Sequence, residues 1–291
     1  MPVAVVTDTT HYLPAEVVER HRLHCVSLYV NWDGRTERES EMPDFAAFYE
    51  FLASGGELPT TSQPSVGDFL DVYRPLLAGG DDIVSIHLSS GLSGTVGAAE
   101  QARAALIEEG VDEARIVVID SATTCGGTGL MLIAAGNVAR AGADASRVAG
   151  AAMALRRELE VRFAVADLEY LRRGGRIGMA QAWLGSALKV KPILALELHV
   201  EPVERARTWS RAFDRLLDHL RERFEQGHDA WFVQHIRGEA ELARMVERGT
   251  EIFGHGPEFV SEVGPVVGTH TGPGLLGVAA IRRELLAPAG S

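Results

Sequence analysis

The chain has 291 residues, of which 46% are hydrophobic and 23% are charged, and its formal net charge is −12 at pH 7. This length predicts two domains, and this composition is typical of a globular protein with a full core. The acidic balance, without a basic stripe, argues against nucleic-acid binding, because phosphate backbones attract basic surfaces.

Cofactor, metal and membrane signals are weak throughout the chain. The two cysteines, Cys25 and Cys125, are far apart and form no CxxC pair, and the ten histidines follow no metal-ligand motif. The first residues, MPVAVVTD, lead into a strand without a signal-peptide pattern. No apolar run approaches the ~18 residues of a membrane span. We therefore expect a cytoplasmic protein without cofactor or metal that is not an integral membrane protein.

The first quarter of the chain alternates strand and helix signals. Residues 3–10 form a buried-type strand, 15–22 a helix, 25–32 a second strand and 42–54 an amphipathic helix. Asp33-Gly34 is a turn signal after the second strand. TSQPS (61–65) follows as a hydroxyl-rich loop, whose last serine is placed to cap the next helix.

The segment 87–99, HLSSGLSGTVGAA, is the most distinctive part of the sequence. An apolar strand (83–88) runs into a Gly/Ser turn and then a helix (97–106). Around Ser93 and Gly94, hydroxyls and free backbone amides crowd a helix N-terminus, which favours an anion there. The same pattern also fits a well-capped turn that binds nothing.

The remaining signals complete two α/β units. After a strand at 115–120 come helices at 130–142 and 143–159, and the alternation predicts a doubly wound, mainly parallel sheet. We place the domain boundary at the end of the last helix, giving an N-terminal α/β domain (1–158) and a C-terminal α/β domain (159–291).

The C-terminal domain is predicted to be a mixed sheet with helices. The predicted elements are a strand at 161–167, a short helix at 168–173 capped by Asp167, a helix at 178–190, two strands within 191–208, a helix at 206–227, a strand at 230–236, a helix at 238–254, and two strands within 258–281 around a Gly/Pro/Thr loop that contains His270.

Two chemical interpretations remain open from the residues alone. Gly91-Leu92-Ser93-Gly94-Thr95 departs from a nucleophile elbow, which needs glycine at the last position, yet Ser93 could act in a hydrolase if His270 reached it through the fold. No phosphate-binding loop or dinucleotide motif is present. The neutral donors of the hydroxyl-rich loops otherwise suit a carboxylate better than a polyphosphate.

Six segments, in order, resemble the DegV family of bacterial fatty-acid-binding proteins. They are VTDTTHYLP, TSQPS, SSGLSGT, VIDSATT, LEYLRRGGRIGMAQAWLGSALKVKPIL and GTHTGPGLLGV. The resemblance implies two α/β domains with a long-chain fatty acid in a tunnel at their junction, and a carrier that is not an enzyme. An acyl-ester or thioester hydrolase using Ser93 is the alternative.

The resemblance also assigns roles to individual residues. By position, Thr61, Ser93 and the adjacent Gly94 bind the fatty-acid carboxylate, and His270 stands beside them. The family passes its ligand to a separate ATP-dependent fatty acid kinase, which forms an acyl phosphate for phospholipid synthesis, and Arg207 is the corresponding partner-facing arginine. The chain departs from the family here, since its preceding turn lacks glycine and Arg205 stands where lysine is frequent.

Overall fold

Strands and helices alternate along most of the chain. A computed structural model describes residues 1–42, 44–55, 57–166, 168–183 and 190–287. Their strands are β1 (Val3–Asp8), β2 (His24–Val26), β3 (Tyr29–Trp32), β4 (Arg35–Arg38), β5 (Thr60–Ser62), β6 (Asp82–His87), β7 (Ile116–Asp120), β8 (Val161–Ala164), β9 (Lys191–Leu196), β10 (Val200–Ala206), β11 (Ala230–His235), β12 (Phe259–Glu262) and β13 (Leu276–Ile281).

The helices cover both sheets and include one that the sequence did not suggest. They are α1 (Ala15–His21), α2 (Ala46–Ala53), α3 (Val66–Ala78), α4 (Thr95–Glu108), α5 (Cys125–Arg140), α6 (Ala145–Glu158), α7 (Glu169–Arg173), α8 (Trp209–Glu225), α9 (Glu239–Phe253) and α10 (Pro265–Thr271). Within the described ranges, none of them is long and apolar enough to cross a membrane.

The first sheet is parallel, with strand order β2-β1-β6-β7. Its central strands β1 and β6 are buried almost throughout, as expected for a parallel sheet covered on both faces. Phe69 of α3 and Leu106 of α4 share one buried cluster with Ile83, while Leu130 of α5 shares another with Ile86. The predicted doubly wound parallel sheet is confirmed.

The second sheet is mixed, with strand order β10-β9-β8-β13-β11-β12. Only β11 and β12 pair in parallel among these strands. On β11, Trp231 faces a cluster with Leu216 of α8 and Met245 of α9, whereas Phe232 belongs to the cluster that also contains Leu130. The predicted mixed sheet with helices is confirmed. The division at residues 158/159 stays a prediction.

The strand predicted at residues 25–32 is wrong as a single element. The chain pairs with β1 only as far as Val26, and from Tyr29 it joins a separate antiparallel sheet of order β4-β3-β5. An uninterrupted apolar run cannot show that the chain changes sheets. The turn prediction after it is confirmed, because Asp33 and Gly34 both have positive φ angles, as a type I′ hairpin requires.

Two further predictions in the second half need correction. The segment with His270 is helix α10, not a loop. Residues 178–183 form a 3₁₀ helix, not the start of an α-helix, and residues 184–189 of that prediction lie outside the described residues. Asp167, the predicted cap, also lies outside them, and α7 follows it as expected.

Candidate functional site

An apolar cavity with a volume of about 90 Å³ lies among elements from both halves of the chain. Its walls come from the loop after β6, the start of α5, the inner face of the second sheet, and α10. The described lining residues are Leu28, Thr61, Leu88, Leu92, Ser93, Thr124, Cys125, Val161, Phe163, Leu171, Arg176, Leu196, Val200, Phe232, Gln234, Val263, Val266, Val267, His270, Thr271, Leu275 and Gly277.

Three of the predicted site residues line this cavity. Thr61 lies at the centre of β5, paired with Val30, and its Oγ1 is 2.8 Å from His270 Nε2. Ser93 lies in the loop between β6 and α4, with its Oγ 2.9 Å from Thr95 Oγ1. The fold therefore brings Thr61, His270 and Ser93 to one cavity, although their mutual hydrogen bonding is limited to the Thr61–His270 pair.

The hydrogen-bond environment of His270 fixes the role of Thr61. Burial, together with the nearby charge of Arg176, lowers the pKa of His270 to about 4, so its ring is neutral at pH 7. Its buried Nδ1 has no hydrogen-bond partner within the described part of the chain. Because an unpaired buried N–H is rarer than an unpaired acceptor, we assign the proton to Nε2, which then donates to Thr61 Oγ1. The Thr61 hydroxyl is left free to donate to a ligand.

The helix that carries His270 is anchored at its start by a buried carboxyl group. Glu39 Oε1 accepts hydrogen bonds from Val266 N–H (2.8 Å) and from the Tyr12 hydroxyl (2.9 Å). Burial raises the pKa of Glu39 to about 7. Since α10 has only seven residues, this tertiary contact at its first turn helps to hold His270 in place.

Gly94 lies beside the cavity wall, outside the set of lining residues. It is the N-cap of α4, and a Cβ atom there would lie 2.0 Å from Gln63 Oε1. Gly91, in the same loop, is more tightly constrained, since its Cβ would lie 2.1 Å from the Leu198 carbonyl oxygen, a backbone atom, whereas the end of the Gln63 side chain can move. The two glycines thus allow close packing of the loop that carries Ser93. A direct ligand contact by Gly94 stays a prediction.

The cavity also contains polar residues that the sequence did not assign to the site. Gln234 Oε1 accepts the Gly126 N–H at 2.6 Å and so caps the start of α5. Burial raises the pKa of Cys125 to about 12, which keeps its thiol protonated and unreactive. Arg176 also lines the cavity, and the double glycine before it (Gly174-Gly175) was the signal available in the sequence.

The hydrolase alternative finds little support in the geometry. Ser93 Oγ pairs with Thr95, and the Nε2 atom of His270 pairs with Thr61, so the described contacts give Ser93 no general base. A hydrogen-bonded Ser–His–Asp set lies elsewhere, on strands β1 and β6 of the first sheet. His87 lies 3.0 Å from Asp8 and 2.6 Å from Ser85, and all three side chains are fully buried.

That buried set is structural. Burial acts to raise the pKa of Asp8, but the interactions with His87, with Thr10 and with the Leu88 N–H together keep this pKa below its ordinary value. Asp8 also accepts the Leu88 N–H at 3.0 Å, and Ser85 accepts a hydrogen bond from the Tyr73 hydroxyl. The network therefore ties β1 to the end of β6, immediately before the loop that carries Ser93.

Arg207 lies where the sequence placed it, in the exposed loop between β10 and α8. Within the described ranges its guanidinium makes no hydrogen bond or ion pair. Arg205 differs, since it stacks over the Trp183 ring at 5.3 Å. Arg207 is therefore the more available of the two basic groups.

Comparison with known proteins identifies the family. The model of a family of uncharacterised proteins, the DegV family, matches residues 2–283. The chain belongs to the DegV family. Among DegV relatives, Protein DegV of Bacillus subtilis is 37% identical over 281 residues, covering 96% of this chain and 98% of the relative. A DegV domain-containing protein of Streptomyces coelicolor is 38% identical, covering 97% and 99%.

Solved structures of DegV proteins share the whole fold. A DegV family protein from Thermus thermophilus, whose structure is reported for its fatty acid binding, has a TM-score of 0.87 and 36% sequence identity. The match covers 97% of this chain and 100% of that chain. DegV of Bacillus subtilis, described as a fatty acid binding protein, has a TM-score of 0.86, 36% identity and the same coverage. The resemblance to the DegV family predicted from the motifs is confirmed.

Proposed function

We propose that this protein binds a long-chain fatty acid, with the acyl chain in the cavity and the carboxylate at Thr61 and Ser93. The observation that carries the proposal is the Thr61–His270 hydrogen bond at the wall of an otherwise mainly apolar cavity. It leaves one hydroxyl free to donate, and Ser93 offers a second. The fatty-acid binding of the Thermus thermophilus and Bacillus subtilis relatives supports the same ligand class.

The tail supplies most of the binding energy in this arrangement. Each buried methylene contributes ~0.8 kcal/mol, whereas a few hydrogen bonds from neutral donors orient the head group. A free volume of about 90 Å³ takes roughly six to nine water-sized groups at about 10–15 Å³ each. A longer chain therefore requires the side chains of the wall to move apart when it binds.

The protein acts as a carrier, not as an enzyme, and hands its ligand to a separate fatty acid kinase that forms an acyl phosphate for phospholipid synthesis. Arg207 contacts that kinase in this proposal. Leu198 and Val203 are exposed apolar side chains of the β9–β10 hairpin, which ends just before Arg207. The division into domains 1–158 and 159–291 and a cytoplasmic location belong to the same proposal.

Identification of the co-purified ligand tests the proposed function. Denaturation of the purified protein should release a fatty acid, which mass spectrometry should detect at close to one molecule per chain. The competing hydrolase function predicts turnover of a chromogenic short-chain ester that Ser93→Ala abolishes. Purified protein that contains no lipid and gains no thermal stability from any added fatty acid would contradict the proposal.

A further inference from the structure

Arg176 is the one permanently charged residue among the described residues that line the cavity. It is exposed overall, so it stands at the mouth of the cavity and not at its base. Within the described part of the chain, no carboxylate lies within ion-pair distance of its guanidinium, whereas its neighbour Arg173 has Glu169 at 4.0 Å. Among the described residues, its positive charge therefore has no carboxylate partner.

The hydrogen bonds of Arg176 leave part of its donor capacity unused. Nε donates to the Leu92 carbonyl oxygen at 3.3 Å, and Nη1 donates to the Gly174 carbonyl oxygen at 2.7 Å. Both acceptors are neutral, and the described residues provide no acceptor for Nη2. A guanidinium held by two carbonyls with further N–H groups available has the geometry that recognises a carboxylate.

The position of these bonds brings the charge to the head end of the cavity. Leu92 immediately precedes Ser93, and Gly174 packs against the His270 ring, since a Cβ there would lie 2.2 Å from Nδ1. After burial, the charge of Arg176 is the second cause that lowers the pKa of His270, as expected for a cation near that ring. Arg176 is therefore bonded beside Ser93 on one side and beside the residue that packs on His270 on the other.

Hydroxyl donors alone do not distinguish a carboxylate from an uncharged head group. An alcohol or an ester also offers oxygen acceptors to Thr61 and Ser93, and its tail fills the same cavity. A guanidinium bonds more strongly to an ionised carboxylate than to a neutral oxygen, because both partners are then charged. We propose that Arg176 makes the site selective for the ionised carboxylate over neutral lipids of equal chain length; this rests on the proposed function.

The test compares one acid with the matching alcohol. Displacement of a fluorescent acyl probe gives Kd values for hexadecanoic acid and hexadecan-1-ol at about pH 8, where a free carboxyl group is ionised. In Arg176→Gln the preference for the acid over the alcohol should fall about ten- to a hundredfold, while affinity for the alcohol changes little. Arg176→Lys should keep part of the preference, and Arg173→Gln, the matched control, should keep all of it.

The outcomes separate this inference from the proposed function. An unchanged acid-to-alcohol ratio in Arg176→Gln overturns the inference and leaves the fatty-acid carrier intact. An equal loss for both lipids also overturns it, because Arg176 would then only brace the Leu92 carbonyl and the loop beyond. A wild-type protein that binds neither lipid rejects the proposed function, and the selectivity proposal with it.

Discussion

Gly277 offers a direct test of where the acyl chain lies. It lines the cavity near the start of β13, on the same face as Leu275, which immediately precedes the strand. A Cβ atom at this position would lie 3.5 Å from Phe163 Cβ, an ordinary contact, so alanine fits without strain. Valine suits a strand and places three carbons in the cavity. If each carbon displaces one ligand methylene, valine costs about 2.4 kcal/mol, roughly fiftyfold in Kd, and alanine about 0.8 kcal/mol, roughly fourfold.

The assay is a chain-length series on both variants. Saturated acids of roughly ten to eighteen carbons are compared by probe displacement, because each methylene that finds a wall adds affinity. The longest acids should lose the stated amounts, and acids too short to reach Gly277 should bind as in the wild type. Gly150→Ala, on an open face of α6, serves as the control. An equal loss at every chain length, or none at any length, would refute the placement of the tail.

Three other predictions concern the head group, stability and the partner. Ser93→Ala should weaken fatty-acid binding about ten- to a hundredfold with little change in the melting temperature of the ligand-free protein, whereas Ser90→Ala, in the same loop, should bind normally; unfolding of the Ser93 variant would make this residue structural. The folded protein holds the Glu39 proton more tightly than the unfolded chain, so the free energy of unfolding should fall by about 3 kcal/mol as pH rises from about 4.5 to above about 7, and Glu39→Gln should remove that slope in denaturant titrations across this range. Arg207→Glu should leave fatty-acid binding intact but slow acyl-phosphate formation by the host's fatty acid kinase, and a wild-type rate would exclude the contact.

Local signals in the sequence predicted most of the elements but not their partners. The cap at Ser65, for example, is confirmed, since its side chain and that of Asp68 form a capping box at the start of α3. Such a signal acts over three residues and does not depend on tertiary structure. The change of sheet between Val26 and Tyr29 depends on β4 and β5, and no local pattern encodes it.

Helix α10 shows the same limit more clearly. Its sequence, PVVGTHT, is rich in β-branched residues and includes glycine, so intrinsic propensity favours a loop. The helix is anchored because Glu39, from a distant part of the chain, caps its first turn. Once the helix has formed, Thr269 and Thr271 donate to carbonyls four residues earlier. These contacts come from distant parts of the chain or follow from the helix itself.

The candidate site was predictable only where its residues belong to recognisable motifs. Thr61, Ser93 and His270 line one cavity, although no spacing in the sequence relates β5 to α10. Arg176 follows a double glycine, a turn signal, and donates to two backbone carbonyls. Its position at the cavity mouth follows from the packing of the loop after β6 against the second half of the chain.

The place of β13 in the second sheet has a consequence for biosynthesis. This strand is the last of the described strands in sequence, yet it lies between β8 and β11 and pairs with both. Until residues 276–281 leave the ribosome, no strand can bridge β8 and β11. Until then, the part of the cavity wall formed by Leu275 and Gly277 is also missing. The emerging chain therefore lacks a complete cavity, and the proposed fatty acid can bind only after the whole sheet has been synthesised.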